Sequence, residues 1–483
     1  MSEFEYPGEV RPPVNVLAAR YASPDMVRTF SDDAKVYFER GLWIAVMEEQ
    51  AALGLDIPAD AIEAYRQVQP NIDHDSMRRR EEVSRHDVNS RIEEFNALAG
   101  HQFIQLGMTS RDLTENVEQL QIRLGLDIIH DRIVATLGRF ASRAAEYSTI
   151  AMAGRSHNVA AQTITLAKRF SNSGEELLLA YDKLNALKGS YPIRGIKGPV
   201  GTQQDMLDLF GGDANKVSKF EKRVSKRLGF ASILGSVGQV YPRSLDLDVI
   251  TALQQAAAGP SSFAKTFRLM AGNELVTEGF KKGQVGSNAM PHKMNAPTSE
   301  RISSLYALLA GYATTAGHLA GDQWNEGDVS CSAARRVIIP DSFFVADGVF
   351  QSTMKVLDNM GAYPQVIANE LDRYLPFLTT TKALMAAVKA GVGRETAHEI
   401  IKEHAVAVAL QMREQGTSDN DLFDRLANDP RLPVSKQQLV DAIGNPLDLT
   451  GLAQSQTAHF VGEVQQIIDK YPEAARYKPT TLV

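Results

Sequence analysis

The stretch LTENVEQLQIRLGLDIIHDRIVATLGRF, residues 113–140, decides the fold. Leu113, Val117, Leu120, Leu124, Ile128, Ile133, Leu137 and Phe140 recur at intervals of three to five, the period of one helix face. The word before it, LGMTSRDLTEN (106–116), reads as a turn and a helix start, with Ser110 or Thr114 available as a cap. Together they predict one amphipathic helix of roughly 35 residues, about 50 Å long at 1.5 Å per residue.

Working outward, a second long helix fits 157–188, with Val159, Leu166, Phe170, Leu177 and Leu184 on one face. Others fit 242–280, 297–324 and 340–360. Towards the N-terminus, residues 1 to about 15 read as a polar arm with Pro7, Pro12 and Pro13. Ser31 starts a helix whose apolar positions are Val36, Leu42, Val46 and Ala52, and Gly54 ends it. A further helix fits 80–98. Glycine and proline words separate the long segments: YPIRGIKGPVG (191–201), the 283–297 loop and WNEGDVSCS (324–332). Beyond 364 the pieces shorten, with two helices joined at Gly391–Gly393. Long helices with short links predict an elongated all-α bundle. One copy cannot cover so many apolar faces, so side-by-side association is expected.

Composition bounds the function. The 483 residues are 44% hydrophobic, ample for two to four domains. A formal charge of −7 argues against a nucleic acid or an anionic membrane held by bulk charge. An anionic substrate therefore needs a local cluster of cations. Cys331 is the single cysteine, so no intrachain disulfide forms and a reducing compartment is expected. MSEFEYPGEVRPP has no apolar core of a signal peptide, and no stretch is long and apolar enough to cross a bilayer. The expectation is a cytoplasmic protein with no membrane partner. The ten histidines hold no HExxH pair, and His398 and His404 do not share a helix face, so no metal and no cofactor are expected. GVG at 391–393 lacks a preceding strand and a third glycine and reads as a helix-to-helix turn. GIKGPVG lacks the phosphate-loop spacing and reads as a structured turn near the site.

Three words point to chemistry. GQVGSNAMPHKMNAP (283–297) cannot continue a helix, yet it carries Ser287, His292, Lys293 and Asn295 between long helices. AGRSHNVAAQT places Ser156 and His157 at the expected start of a long helix, where the positive dipole end would lower the imidazole pKa. A helix-capping pair is the alternative there. SRHDVNSR sets Arg85, His86 and Asp87 side by side, and composition alone reads it as a solvated charged turn. Chance does not readily supply all three in this order across some 200 residues.

The loop resembles the GSSxMPxKxN signature of the fumarase/aspartase superfamily. TEGFKKGQ before it and SERI after it narrow the likeness to the adenylosuccinate lyase family. RYASPDM (20–26), RHDV (85–88), GMTSRDLTEN (107–116), GRSHNVAAQ (154–162), GQVYPRSLD (238–246), DQWNEGDVSCSAARRV (322–337) and ELDRYLPFL (370–378) extend it over nearly the whole chain, in its actinobacterial form. The resemblance implies a three-domain, nearly all-helical protomer. An N-terminal domain (1–111) precedes a central long-helix bundle (112–364) that carries the loop, and a small helical domain (365–483) ends the chain. It implies a homotetramer whose sites each combine segments from three copies.

The implied reaction is β-elimination of fumarate from adenylosuccinate and from succinyl-aminoimidazole-carboxamide ribotide. Removing a carbon-bound proton beside a carboxylate makes a dianion, so the site must stabilise negative charge and protonate the departing nitrogen. On the family pattern Ser287 is the base, His157 the general acid, His86 a positioning histidine and Lys293 a stabiliser of the serine alkoxide. Thr109, Ser110, Lys293 and Asn295 would hold the succinyl carboxylates. Gln239, Ser332 and Arg336 match substrate contacts, with Arg243 nearby and Met290 inside the loop. Arg20 and Tyr21 match phosphate and nucleotide contacts, with Arg85 and Asp87 beside His86. Asn288 stands where the family usually has a second serine, and Gly327 where many members have an arginine, for which Arg301, Arg335 or Arg336 would compensate. The alternatives are a sister lyase such as argininosuccinate lyase and a non-catalytic structural oligomer on the same scaffold.

Overall fold

The computed structural model describes residues 14–279, 290 and 292–480. Five long helices form its centre: Ser110–Glu146, Leu166–Ser190, Ser244–Gly272, Pro297–Leu319 and Ser332–Asn359. The all-α expectation holds, and the 37-residue Ser110–Glu146 helix matches the predicted length. Its cap is neither Ser110 nor Thr114 but Thr109, whose backbone N–H donates to Asp112 Oδ2 at 2.8 Å. Residues from Leu113 to Phe140 are buried around most of its circumference, so it runs through the middle of the core.

The described residues hold three apolar clusters. The largest joins the five long helices and also takes in Leu17, Met26, Phe460 and Val464. The second packs Trp43, Tyr65 and Phe95 on Leu113, Val117, Phe210 and Phe220. The third lies within 383–439. Ser31 caps the Asp32–Ala52 helix as expected, its Oγ accepting from the Ala34 N–H at 3.2 Å. Gly391–Gly393 joins Thr380–Lys389 to Arg394–Gln415 as a plain turn.

Several boundaries differ from expectation: the helix expected at 340–360 begins at Ser332, and those expected at 242–280 and 297–324 end at Gly272 and Leu319. The helix expected at 80–98 is two helices, His74–Ser84 and Asp87–Ala99, broken where Arg85 takes a left-handed backbone at φ 54°. The helix expected from 157 begins only at Leu166. Residues 151–165 form instead a β-hairpin of strands Ala151–Ser156 and Val159–Thr165. His157 and Asn158 are its two turn residues, with φ of 50° and 60°. A two-residue hairpin turn wants positive φ at both positions to match the strand twist. The helix-dipole argument for His157 is therefore corrected: among the described residues no helix N-terminus lies at the imidazole.

Three loops interlock at one end of the bundle. The Gln239 N–H donates to the Glu326 carbonyl at 2.6 Å. A Cβ added at Gly238 would lie 2.0 Å from that same carbonyl oxygen, and one at Gly201 would lie 1.9 Å from the Val237 carbonyl oxygen. Gly238→Ala should therefore destabilise the protein by about 1–3 kcal/mol, the usual range for forced overpacking. Urea denaturation would check it; an unchanged midpoint would refute the close packing of these loops.

Candidate active site

The ends of several elements enclose a cleft of about 720 Å³. His86, Asp87, Ser110, Gln239, Ser332 and Arg336 all line it, drawn from distant parts of the chain. The break at Arg85 makes His86 the N-cap of Asp87–Ala99. The Asn89 N–H donates to His86 Nδ1 at 3.2 Å. That acceptor role assigns the proton of the neutral ring to Nε2, which becomes the donor. Ser110 opens the long helix, whose first turn favours anions. Ser332 opens another, its N–H bonded to the Val329 carbonyl at 2.9 Å. Arg336 stands one turn further on, its side chain 69% exposed and 3.9 Å from Asp87.

Asp87 is held ionised. Burial raises its carboxyl pKa, but Arg91, the Val88 N–H, Arg336 and His86 outweigh that and bring it below the ordinary value. Arg91 Nη2 donates to Asp87 Oδ2 at 2.6 Å, and the Val88 N–H to Oδ1 at 2.9 Å. Arg91 was not anticipated from the sequence, although its place four residues after an aspartate on one helix is a readable signal.

Beneath the cleft lies a charged layer. Arg335 is buried and donates to Asp246 at 2.7 Å, to Glu118 at 2.7 Å and to the Tyr241 hydroxyl at 2.5 Å. Arg243 is also buried, with both guanidinium Nη atoms on Glu115 at 2.8 and 2.9 Å. Arg243, expected near the substrate, thus lies under the cleft and not among its lining residues. Burial alone would raise the Glu118 carboxyl; Arg335 and Lys35 reverse that and bring it down to about 2.

The other expected positions lie elsewhere in this protomer. His157 is exposed at the hairpin turn, and the hairpin is anchored where Arg155 pairs with Glu370. Lys293 is exposed, its N–H bonded to the Met290 carbonyl at 3.0 Å, and Met290 and Asn295 are exposed beside it. Tyr363 of the segment after the Ser332–Asn359 helix reaches the Met294 sulfur at 3.6 Å. This places the stem of the signature loop at the far end of that helix, 19 residues or about 28 Å beyond Pro340, its last residue in the cleft lining. Tyr21 packs on Gly348 partway along, with Arg301 5.5 Å from its ring centroid, and Arg20 precedes it. Thr109 caps the helix beside Ser110, and Arg85 is exposed beside His86; neither lines the cleft. Ser287 and Asn288 lie outside the described residues. Among the described residues no cluster of three or more His, Cys, Asp or Glu side chains is placed to hold a metal ion, and no helix is long and apolar enough to cross a membrane.

A family model described as "Lyase" matches residues 20–308, and one described as "Adenylosuccinate lyase C-terminus" matches 376–470. The chain is 32% identical over 480 residues to adenylosuccinate lyase of Schistosoma mansoni, covering 98% of both chains. It is 33% identical to that of Saccharomyces cerevisiae, covering 92% of this chain and 93% of the other. Among solved structures, 3-carboxy-cis,cis-muconate lactonizing enzyme from Pseudomonas putida superposes with a TM-score of 0.79 at 18% identity, covering 93% of this chain and 99% of that one. A fumarate lyase from Mesorhizobium gives 0.76 at 19%, covering 92% and 98%. The two structures share the fumarase/aspartase-type fold.

Glu118 supplies a pH test. A carboxyl depressed from its ordinary 4.5 to about 2 adds stability above pH 4.5 that is lost as pH falls towards 2. Glu118→Gln should lower the melting temperature at pH 6, and the gap to the unmodified protein should narrow by pH 3. A gap that stays constant across that window would remove Glu118 as a native-state ion-pair partner.

Proposed function

The chain belongs to the adenylosuccinate lyase family, and on that premise we propose that it eliminates fumarate from adenylosuccinate to give AMP, and from succinyl-aminoimidazole-carboxamide ribotide to give the carboxamide ribotide. The observation that carries the reading is the cleft, where His86, Asp87, Ser110, Gln239, Ser332 and Arg336 converge. The C-terminal family match and the named relatives favour this substrate over argininosuccinate.

In the reaction Ser287 takes the proton from the succinyl carbon and His157 gives one to the departing nitrogen. A serine hydroxyl is a poor base in water, so Lys293 and a dry, closed site must stabilise its alkoxide. The charge that develops on the carboxylate falls to Ser110, Thr109 and Asn295, with the Ser110–Glu146 helix start adding its positive end. Arg20, Tyr21 and Arg85 receive the nucleotide and its phosphate, with Asp87 beside them. Gln239, Ser332, Arg336 and Met290 complete the contacts, and His86 orients the substrate through its Nε2–H. No metal or cofactor is needed for this chemistry.

One copy keeps the cleft and the loop stem at opposite ends of the Ser332–Asn359 helix. The proposed site is therefore shared: a homotetramer brings the hairpin of one copy and the signature loop of another to the cleft of a third. Exposed Leu179, Leu269 and Leu308 on three of the bundle helices support such association. The protein is proposed to be cytoplasmic. The division at 111/112 and 364/365 remains a proposal for the domains; the apolar clusters cross both boundaries, through Leu113 and Val117 at the first and Phe460 and Val464 at the second.

Ser287→Ala and His157→Ala should each lose about 10²–10⁴-fold in turnover, the usual worth of a positioned acid or base, with fold and assembly intact. The loss is read from the ultraviolet change on adding adenylosuccinate. Mixing the two inactive variants under conditions that exchange subunits should restore part of the activity. No restoration in mixed oligomers would refute the shared site, and near-normal Ser287→Ala would remove that base. An inactive unmodified protein beside a working control would return the structural-oligomer reading.

A further inference from the structure

Arg91 is among the cations of the cleft lining that have no part in the mechanism above. Arg91 lies four residues beyond Asp87, its side chain only 12% exposed. All three of its nitrogens are engaged. Nη2 donates to Asp87 Oδ2 at 2.6 Å, Nε to the Asp87 carbonyl at 3.1 Å, and Nη1 to Glu39 Oε1 at 2.5 Å. Glu39 comes from a different helix, Asp32–Ala52, and is fully buried. Its second oxygen, Oε2, is buried with no hydrogen-bond partner. A carboxylate taken out of water and left half satisfied is costly, and hydrophobic residues of similar volume would serve a merely packed position better.

We infer that Glu39 and Arg91 form a brace that sets the carboxylate of Asp87 for nucleotide recognition, a positioning pair that acts without touching the substrate. The inference rests on the nucleotide-binding role proposed for the cleft. Two physical effects recommend it. Asp87 faces the exposed Arg336 at 3.9 Å, and an unbraced carboxylate would swing onto that cation and neutralise it. Held instead by the planar fork of Arg91, Asp87 keeps one orientation and leaves Arg336 available to an anion. Glu39 in turn cancels the charge of Arg91, so the wall does not draw the substrate phosphate onto the brace.

Arg91→Gln alone leaves Glu39 buried and unpaired and risks the fold. The variants to compare are therefore Arg91→Lys, which keeps the charge but not the fork, and the neutral pair Glu39→Gln/Arg91→Gln, each checked for folding by its melting curve. KM for adenylosuccinate and the calorimetric Kd for AMP should rise by about tenfold, the worth of one charge-assisted hydrogen bond, while kcat stays within about threefold. Asp87→Asn added to the neutral pair should add less than about twofold, because residues acting through one group are not additive. A folded neutral pair with KM and Kd within about twofold of the unmodified protein overturns the brace. So does an Asp87→Asn effect that multiplies in full on the neutral pair. An unmodified chain that binds AMP without turning over adenylosuccinate would count against the proposed reaction, and the AMP comparison would still decide the brace.

Discussion

The geometry of the cleft depends on three carboxylates in the first turns of the longest helix. Asp112, Glu115 and Glu118 are three residues apart and share one side of it. Each meets an arginine from a different stretch. Arg194 reaches Asp112 Oδ1 at 2.5 Å, Arg243 grips Glu115 and Arg335 holds Glu118. Asp112 also accepts the backbone N–H groups of Lys197 and Gly198 at 2.7 and 3.1 Å. Removing one partner of such a buried pair typically costs 3–5 kcal/mol, because the other charge is stranded. The carboxylates therefore pin the 194–198 turn, the 239–246 segment and the start of the Ser332–Asn359 helix to a single helix end. Those segments supply Gln239, Ser332 and Arg336, so the charged layer below fixes the cleft above.

The same layer sorts the cations. Arg335 and Arg336 are neighbours, but successive helix positions point about 100° apart. One turns inward to Asp246, Glu118 and Tyr241; the other turns outward beside Asp87. A chain of net charge −7 presents positive charge locally because part of its arginine content is balanced by buried carboxylates and part is left at the surface. Arg243 illustrates the limit of reading function from sequence. Nothing in GQVYPRSLD says that its guanidinium is already bidentate on Glu115.

The bundle was legible because apolar periodicity extends over many turns in Leu113–Phe140 and its companions, and tertiary context has little to override there. The hairpin was not. MAGRSHNVAAQTIT holds three alanines and has no Asn-Gly turn, so a helix reading extended through it; the β-branched Val159, Thr163, Ile164 and Thr165 are the hint of a strand. The break at Arg85 was hidden for a similar reason. A non-glycine residue in the left-handed region leaves no mark in composition, yet it is what turns His86 and Asp87 into the cleft. The words carrying chemistry were legible as types, whereas their separation along a helix about 40 Å long is a property of the folded protomer alone.

Gly327 stands where the family resemblance leads one to expect an arginine. Its φ is 123°, a region that side-chain-bearing residues rarely adopt, and an added Cβ would meet Val240 at 2.9 Å. An arginine cannot stand there while the Trp324–Ser332 loop keeps its path, and that path is fixed by the Glu326 carbonyl on the Gln239 N–H. The resemblance names Arg301, Arg335 and Arg336 as the side chains that would stand in for that arginine. Arg335 is committed to the buried layer, and Arg301 lies over Tyr21. Arg335 and Arg336 both line the cleft, and Arg336, beside Asp87 and one turn from Ser332, is the one whose side chain stays exposed there. The glycine is thus the condition for the tight path of this loop against Gln239 and Val240.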